Sequence, residues 1–225
     1  MHETPKAADV TETIEVPARI NSGLWMAGRA IATPYFRLGM RLRVSGREHV
    51  PASGPVVIVA NHRSFLDPPL IGYAAMPRRL FYMGKHILFR FPPFAWLIRN
   101  LGCFPVVRDT ADRKSLRYAR ALLARGEPMV MFPEGTRGSD PDGALLPGLP
   151  GVALLAGLPG VTVVPCALWD SRRHFGPVHV RFGPPLNLVA EGTRSRRERN
   201  EIVVDRMMSA IAGLLVEIKE DGLKR

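Results

Sequence analysis

Short β-branched runs that alternate with segments of helical period restrict this chain more than any other feature of its sequence. The runs Leu42 to Gly46, Pro55 to Ala60, Leu80 to Met83, Phe104 to Val107, Pro128 to Phe132, Val161 to Leu168 and Val178 to Phe182 have the length and composition of strands. Between them, Asp67 to Ala75, Ile87 to Asn100, Thr110 to Arg125 and Leu149 to Ala156 carry helical spacing. A helix between two strands lets the chain cross over and start the next strand in the same direction, which a tight hairpin cannot do. The pattern predicts an α/β fold: a single domain with a mostly parallel central sheet of about seven strands flanked by helices, preceded by an N-terminal amphipathic helical segment. A last helix, roughly Arg196 to Glu220, has Ile202, Met207, Ile211, Leu214, Leu215 and Ile218 on one side, which suits packing across the sheet.

The chain divides into three parts. Residues 1–18 are expected to be a disordered leader and lack the basic and apolar regions of a secretory signal. Residues 19–43 place Leu24, Ile31, Tyr35, Leu38 and Leu42 among Arg19, Arg29, Arg37, Arg41 and Arg43. That is a basic amphipathic helical pattern interrupted at Pro34, suited to packing on its own domain, to lying on a membrane surface, or to both. Residues 44–225 form the α/β domain. The charge-free run Gly143 to Trp169 contains Pro147, Pro150, Pro159 and Pro165, so it is loop, short helix, turn and buried strand, not a membrane span.

A formal charge of +11 demands an anionic partner. Nucleic acid is excluded because the basic residues are spread along the chain and no recognised binding motif appears. Cys103 and Cys166 each sit in an apolar run, so they read as buried hydrophobes of a reducing compartment, with no metal site.

Open α/β sheets bind ligands beyond the carboxyl ends of their strands, and three such ends carry chemistry. Pro55 to Ala60 runs into Asn61-His62-Arg63-Ser64-Phe65-Leu66-Asp67-Pro68. A neutral imidazole can take a proton from a hydroxyl when a carboxylate holds its other nitrogen, and Asp67 can supply that carboxylate to His62. Five residues apart on one helix they would diverge by about 140°, so a turn must separate strand from helix, with Ser64 as a capping residue and Pro68 near the helix start. The other two ends deliver Arg108 and, after Phe132-Pro133-Glu134-Gly135-Thr136, Arg137. Two guanidinium forks beyond one sheet edge form a candidate anion site.

Four ordered blocks carry a family resemblance: Asn61-His62-x-Ser64-x-x-Asp67, Gly102-x-Phe104-Pro105-Val106-x-Arg108, Phe132 to Arg137, and Val164-Pro165 with the apolar residues after it. In these the chain resembles the glycerolipid acyltransferases that include 1-acylglycerol-3-phosphate O-acyltransferase. The resemblance implies an O-acyltransferase domain over residues 44–225. It makes His62 the general base and Asp67 its orienting partner, gives Arg108, Glu134, Gly135, Thr136 and Arg137 to the acceptor, and ties Pro165 to the acyl donor. It implies no cofactor: acyl-CoA or acyl carrier protein is the co-substrate, and a lysophospholipid, foremost 1-acylglycerol-3-phosphate, becomes phosphatidic acid.

The absence of a Gly-x-Ser-x-Gly elbow agrees with direct attack and no covalent enzyme intermediate. One departure bears on the acceptor. Where the family often has Phe-Lys-x-Gly and an arginine, this chain has Leu145 to Gly151 without a cation. A glycolipid, sugar or amine-containing acceptor, or a lipid-binding module without catalysis, are the alternatives. Ile87 to Arg99 sets aromatic residues beside arginines, as at a head-group boundary. The expected location is the cytoplasmic face of the cell membrane, as a peripheral, monotopic protein on an anionic surface.

Overall fold

The computed structural model describes residues 19–107, 112–138, 140, 144–188 and 195–223. Seven strands form one sheet: β1 (Arg43–Ser45), β2 (Val56–Ala60), β3 (Phe81–Lys85), β4 (Cys103–Val106), β5 (Met129–Met131), β6 (Thr162–Trp169) and β7 (His179–Phe182). Six α-helices accompany it: α1 (Ser22–Pro34), α2 (Asp67–Ala74), α3 (Pro92–Asn100), α4 (Arg113–Ala124), α5 (Ala153–Ala156) and α6 (Arg196–Leu223). The strand order is β1-β7-β6-β2-β5-β3-β4. From β6 to β4 every neighbouring pair is parallel, while β7 runs antiparallel to β6 and parallel to β1. No helix separates β6 from β7, and a short link can only return the chain antiparallel.

All five residues of β2 are buried, as the uninterrupted run Val56-Val57-Ile58-Val59-Ala60 requires of a strand covered on both faces. On one face, Val57, Val59, Met129, Val163 and Ala167 pack with Leu122 of α4, Leu155 of α5 and Met207, Ile211 and Leu215 of α6. On the other, Val56, Ile58, Val130, Val164, Cys166 and Leu168 pack with Leu70, Ile71 and Ala74 of α2 and with Phe36 and Met40.

The connections out of β2 and β5 decide where a site can form. From β2 the chain crosses by α2 toward β3, and from β5 it crosses by α5 on the opposite face toward β6. Adjacent strands whose crossovers depart in opposite directions leave a crevice between their carboxyl ends.

Pro34 interrupts α1 less sharply than expected. The helix reaches Pro34 and passes into a π-helical turn, Tyr35–Gly39, in which Met40 N–H donates to Tyr35 O at 2.9 Å. The proline has no N–H to donate to the Ala30 carbonyl, so the regular bonding of α1 is broken there. None of the thirteen residues of α1 is buried. Among the described residues no helix is long and apolar enough to cross a membrane. The leader 1–18 and Arg108 lie outside the described residues.

Candidate active site

The first loop begins where β2 leaves the sheet. The Asn61 side chain takes over the next ladder position, donating to Leu168 O at 3.0 Å and accepting from Leu168 N–H at 2.8 Å. The strand can therefore turn away without leaving the β6 backbone unpaired in a buried place. In the turn that follows, Asp67 Oδ2 accepts from Arg63 N–H at 2.6 Å, Ser64 N–H at 2.7 Å and His62 Nδ1 at 2.8 Å. The turn that the spacing demanded is thus built around the carboxylate itself. Ser64 does not cap α2: its hydroxyl accepts from Leu66 N–H at 3.1 Å, a local turn, and the cap position is Leu66 without a side-chain bond.

A carboxylate only accepts, so the proton between the pair sits on His62 Nδ1 and the Nε2 lone pair is free to act as a base. The imidazole also stacks on Phe132, with ring centroids 4.1 Å apart and planes at 21°. Its side chain is 11% accessible while that of Asp67 is fully buried, so the relay opens to solvent only at the histidine. Beneath it, burial first and then the Asp67 charge push the Cys166 thiol well above its ordinary range.

The loop after β5 docks on the first. Glu134 is buried, and its Oε1 accepts from His62 N–H at 2.8 Å while Oε2 accepts from Leu146 N–H at 2.9 Å. Gly138 N–H donates back to His62 O at 2.8 Å. Gly135 makes the tight turn at φ +65°, and a Cβ there would lie 2.2 Å from Leu149 Cδ1. Thr136 and Arg137 are exposed on the rim, where the Arg137 guanidinium sits 3.5 Å from the centroid of the Phe65 ring.

Of the residues picked from sequence, His62, Asp67, Glu134, Gly135, Thr136 and Arg137 gather at this crevice. Glu134 spends both oxygens on backbone N–H groups, the geometry of a tether. Pro165 lies apart. Its carbonyl accepts from Gly183 N–H at 2.8 Å, just past the end of β7, and its ring faces Gly183 and Leu214 of α6. Strand alternation turns it to the side opposite Cys166 and hence away from Asp67. The strand before Arg108 ends at the same edge of the sheet, and Val107 N–H is bound by Asp112 Oδ2 at 2.9 Å.

Two contributors had escaped the sequence reading. Phe132, read there as the end of a strand, is the face on which the imidazole rests. Arg172, just beyond β6, donates from Nε to Arg63 O at 3.2 Å and from Nη2 to Gly138 O. An arginine just past a strand end was the signal that singled out Arg108 and Arg137, and it applies equally to Arg172. Among the described residues no group of three or more His, Cys, Asp and Glu could hold a metal ion.

Residues 41–169 match the acyltransferase family model, a stretch that contains both loops. The chain belongs to the acyltransferase family. The 1-acyl-sn-glycerol-3-phosphate acyltransferase of Streptococcus pneumoniae is 28% identical over 168 residues, covering 73% of this chain and 62% of that one. The lyso-ornithine lipid O-acyltransferase of Pseudomonas aeruginosa is 32% identical over 137 residues, covering 60% of this chain and 47% of that protein. The crystal structure of the 1-acyl-sn-glycerophosphate (LPA) acyltransferase from Thermotoga maritima superposes with a TM-score of 0.63 at 27% identity, over 85% of this chain and 78% of that one. The chain spans about half to two thirds of the length of such curated relatives. With the family established, the seven-stranded sheet and its crevice are the scaffold of an acyltransferase domain.

Proposed function

We propose that this acyltransferase moves a fatty acyl group from an acyl thioester to a lysophospholipid hydroxyl, with His62 as general base. The observation that carries the reading is the buried Asp67 carboxylate 2.8 Å from His62 Nδ1, which leaves the other ring nitrogen, Nε2, to act as the base. Nε2 takes the hydroxyl proton as the acceptor oxygen bonds to the thioester carbonyl carbon. The carbon–sulfur bond then breaks, and the imidazolium returns the proton to the departing thiolate. Asp67 stabilises the imidazolium between the two transfers. The thiol that leaves is that of coenzyme A or of acyl carrier protein.

The favoured acceptor is 1-acylglycerol-3-phosphate, which would become phosphatidic acid, with Arg108 and the exposed Arg137 holding its phosphate. A second acceptor class has its own support. Leu149 leans on Gly135 and Leu146 is bound by Glu134, so the lip of the crevice beside Arg137 is apolar where cations are common in such enzymes. A lysolipid whose head group is not a phosphomonoester, as in the lyso-ornithine lipid relative, suits that lip. The protein works as a peripheral, monotopic enzyme on the cytoplasmic face of an anionic membrane.

The test incubates the purified chain with labelled acyl-CoA or acyl carrier protein and a panel of lysolipids, and identifies products by mass. One acylated lysolipid is the expected product. His62→Ala should lower its rate by about 10² to 10⁴-fold. Unchanged transfer by that variant would remove His62 from the mechanism.

A further inference from the structure

The two loops of the crevice are fastened from a third. Gly138 N–H to His62 O and His62 N–H to Glu134 Oε1 fix the backbone of the base itself, but neither reaches the turn after it. Arg172 does. Its Nε donates to Arg63 O, the carbonyl next after His62, at 3.2 Å. Its Nη2 donates to Gly138 O, on the residue whose N–H holds His62 O. One guanidinium thus closes a ring through Arg63, His62 and Gly138. We propose that Arg172 is a positioning residue for acyl transfer, a clasp that holds the His62 turn and the Glu134 loop in one relative placement. It lies outside the family-matched stretch 41–169. The inference rests on the acyl-transfer reading above.

The root of the clasp is itself secured. Asp170 turns the chain out of β6 at φ +59°, a conformation aspartate tolerates better than most residues, and Arg173 N–H closes the turn on Asp170 O at 2.9 Å. On the far side, Gly176 N–H donates to Gly39 O at 3.2 Å, Val178 N–H to Met40 O at 3.0 Å, and His174 Nδ1 meets Tyr35 Oη at 2.9 Å. The loop is therefore braced against the π-helical turn after α1. Lysine could reach one carbonyl but not both, because it lacks the planar fork.

A group that merely bound the acceptor's anion would keep its donors toward substrate, whereas Arg172 directs Nε and Nη2 at backbone carbonyls. Arg78 provides the comparison. At the opposite end of the sheet its guanidinium donates to Pro51 O at 3.2 Å, Gly54 O at 2.7 Å and Gly126 O at 3.1 Å. That clasp is remote from the crevice and should serve stability alone.

The experiment compares the full chain with Arg172→Gln, Arg172→Lys and Arg78→Gln by amide hydrogen exchange without substrate and by steady-state kinetics. Arg172→Gln should speed exchange in peptides covering residues 61–67 and 132–138 by about tenfold or more, leaving β2 and β6 unchanged. It should lower kcat by about 10- to 100-fold, the scale of a base displaced by about an ångström, with the acceptor KM within about twofold. Arg172→Lys should recover part of kcat, and Arg78→Gln should lower Tm without altering kcat of the folded protein. Unchanged loop exchange overturns the clasp, as does a raised KM at constant kcat, which would mark a substrate contact. If wild-type protein transfers no acyl group, the functional reading fails first, and the positioning role with it. Faster loop exchange beside an intact kcat would sink the positioning role alone.

Discussion

Three donors converge on a single oxygen of Asp67, and that convergence is what the His62–Asp67 spacing means physically. The spacing of five alone fits many turns; the N–H groups of Arg63 and Ser64 select the one in which the imidazole faces the carboxylate. Asp67→Asn tests this at the level of one atom. The three donors share one oxygen position, so the amide either turns its NH2 there, losing the Arg63 and Ser64 bonds and moving the His62 proton to Nε2, or keeps its oxygen there and gives the imidazolium no charge. The expected result is a fall in kcat of about 10³ to 10⁴-fold with little change in acceptor KM, and a rise in KM at unchanged kcat would contradict it. The residues legible beforehand were those whose side chains do chemistry at a strand end. Asn61 and Arg172 act instead on backbone groups far away in sequence, so although each stands just past a strand end, its partners leave no pattern in a linear chain. Glu134 was given to the acceptor only through the resemblance, and its place as a tether emerges only from its two partners, His62 and Leu146.

Local period and β-branched runs announced the elements well, because the strands of a buried parallel sheet must be apolar on both faces. The antiparallel β7 was also implicit: no helical segment separates Val161 to Leu168 from Val178 to Phe182. The order in which β5 inserts between β2 and β3 was not, since several windings satisfy the same alternation. Helix α4 shows how an element end carries a pH dependence. Its cap, Asp112, accepts from Ser115 N–H at 3.0 Å, Ser115 Oγ at 2.6 Å and Val107 N–H at 2.9 Å. Burial alone would raise its carboxyl, but these bonds together outweigh burial and hold it below the ordinary value. A lowered folded value means stability fully present above the unfolded carboxyl range near about pH 3.9, and lost as pH falls through the folded value. Asp112→Asn keeps a capping side chain and removes the titration. Urea midpoints measured between pH 7 and acid should therefore fall less steeply for the variant. Because the site is half-buried, the difference at neutral pH should stay below about 1 kcal/mol; parallel acid limbs would show that Asp112 is not the group responsible.

On the scale of the molecule, the basic charge and the exposed apolar residues need a common explanation. Helix α1 has no fully buried residue, α3 has only Ala95, and the first begins where the second ends, with Asn21 N–H on Asn100 O at 2.9 Å. Met26 and Ile31 of α1, Leu38 of the π-helical turn, and Phe91, Phe94 and Trp96 at α3 are all exposed. Arg29, Arg37, Arg41 and Arg90 are exposed in the same segments. Aromatic and arginine side chains together suit the head-group boundary, and each cation near an anionic leaflet adds about 1 kcal/mol. The chain's three tryptophans make this measurable. Trp96 is 58% exposed, whereas Trp25 lies under the Arg79 guanidinium at 5.0 Å and Trp169 under the Lys219 ammonium at 4.5 Å. With Trp25 and Trp169 replaced by phenylalanine, the remaining emission should shift to the blue on vesicles containing phosphatidylglycerol and be quenched by brominated acyl chains. Raising salt shortens the Debye length to about 3 Å at 1 M and should weaken the binding without changing the quenching of whatever protein stays bound. Vesicles of neutral phosphatidylcholine should bind less. Emission that stays unshifted and unquenched on anionic vesicles, while acyl transfer to a lysolipid in those vesicles proceeds, would mean that α3 does not meet the bilayer and that the acceptor reaches His62 by another face.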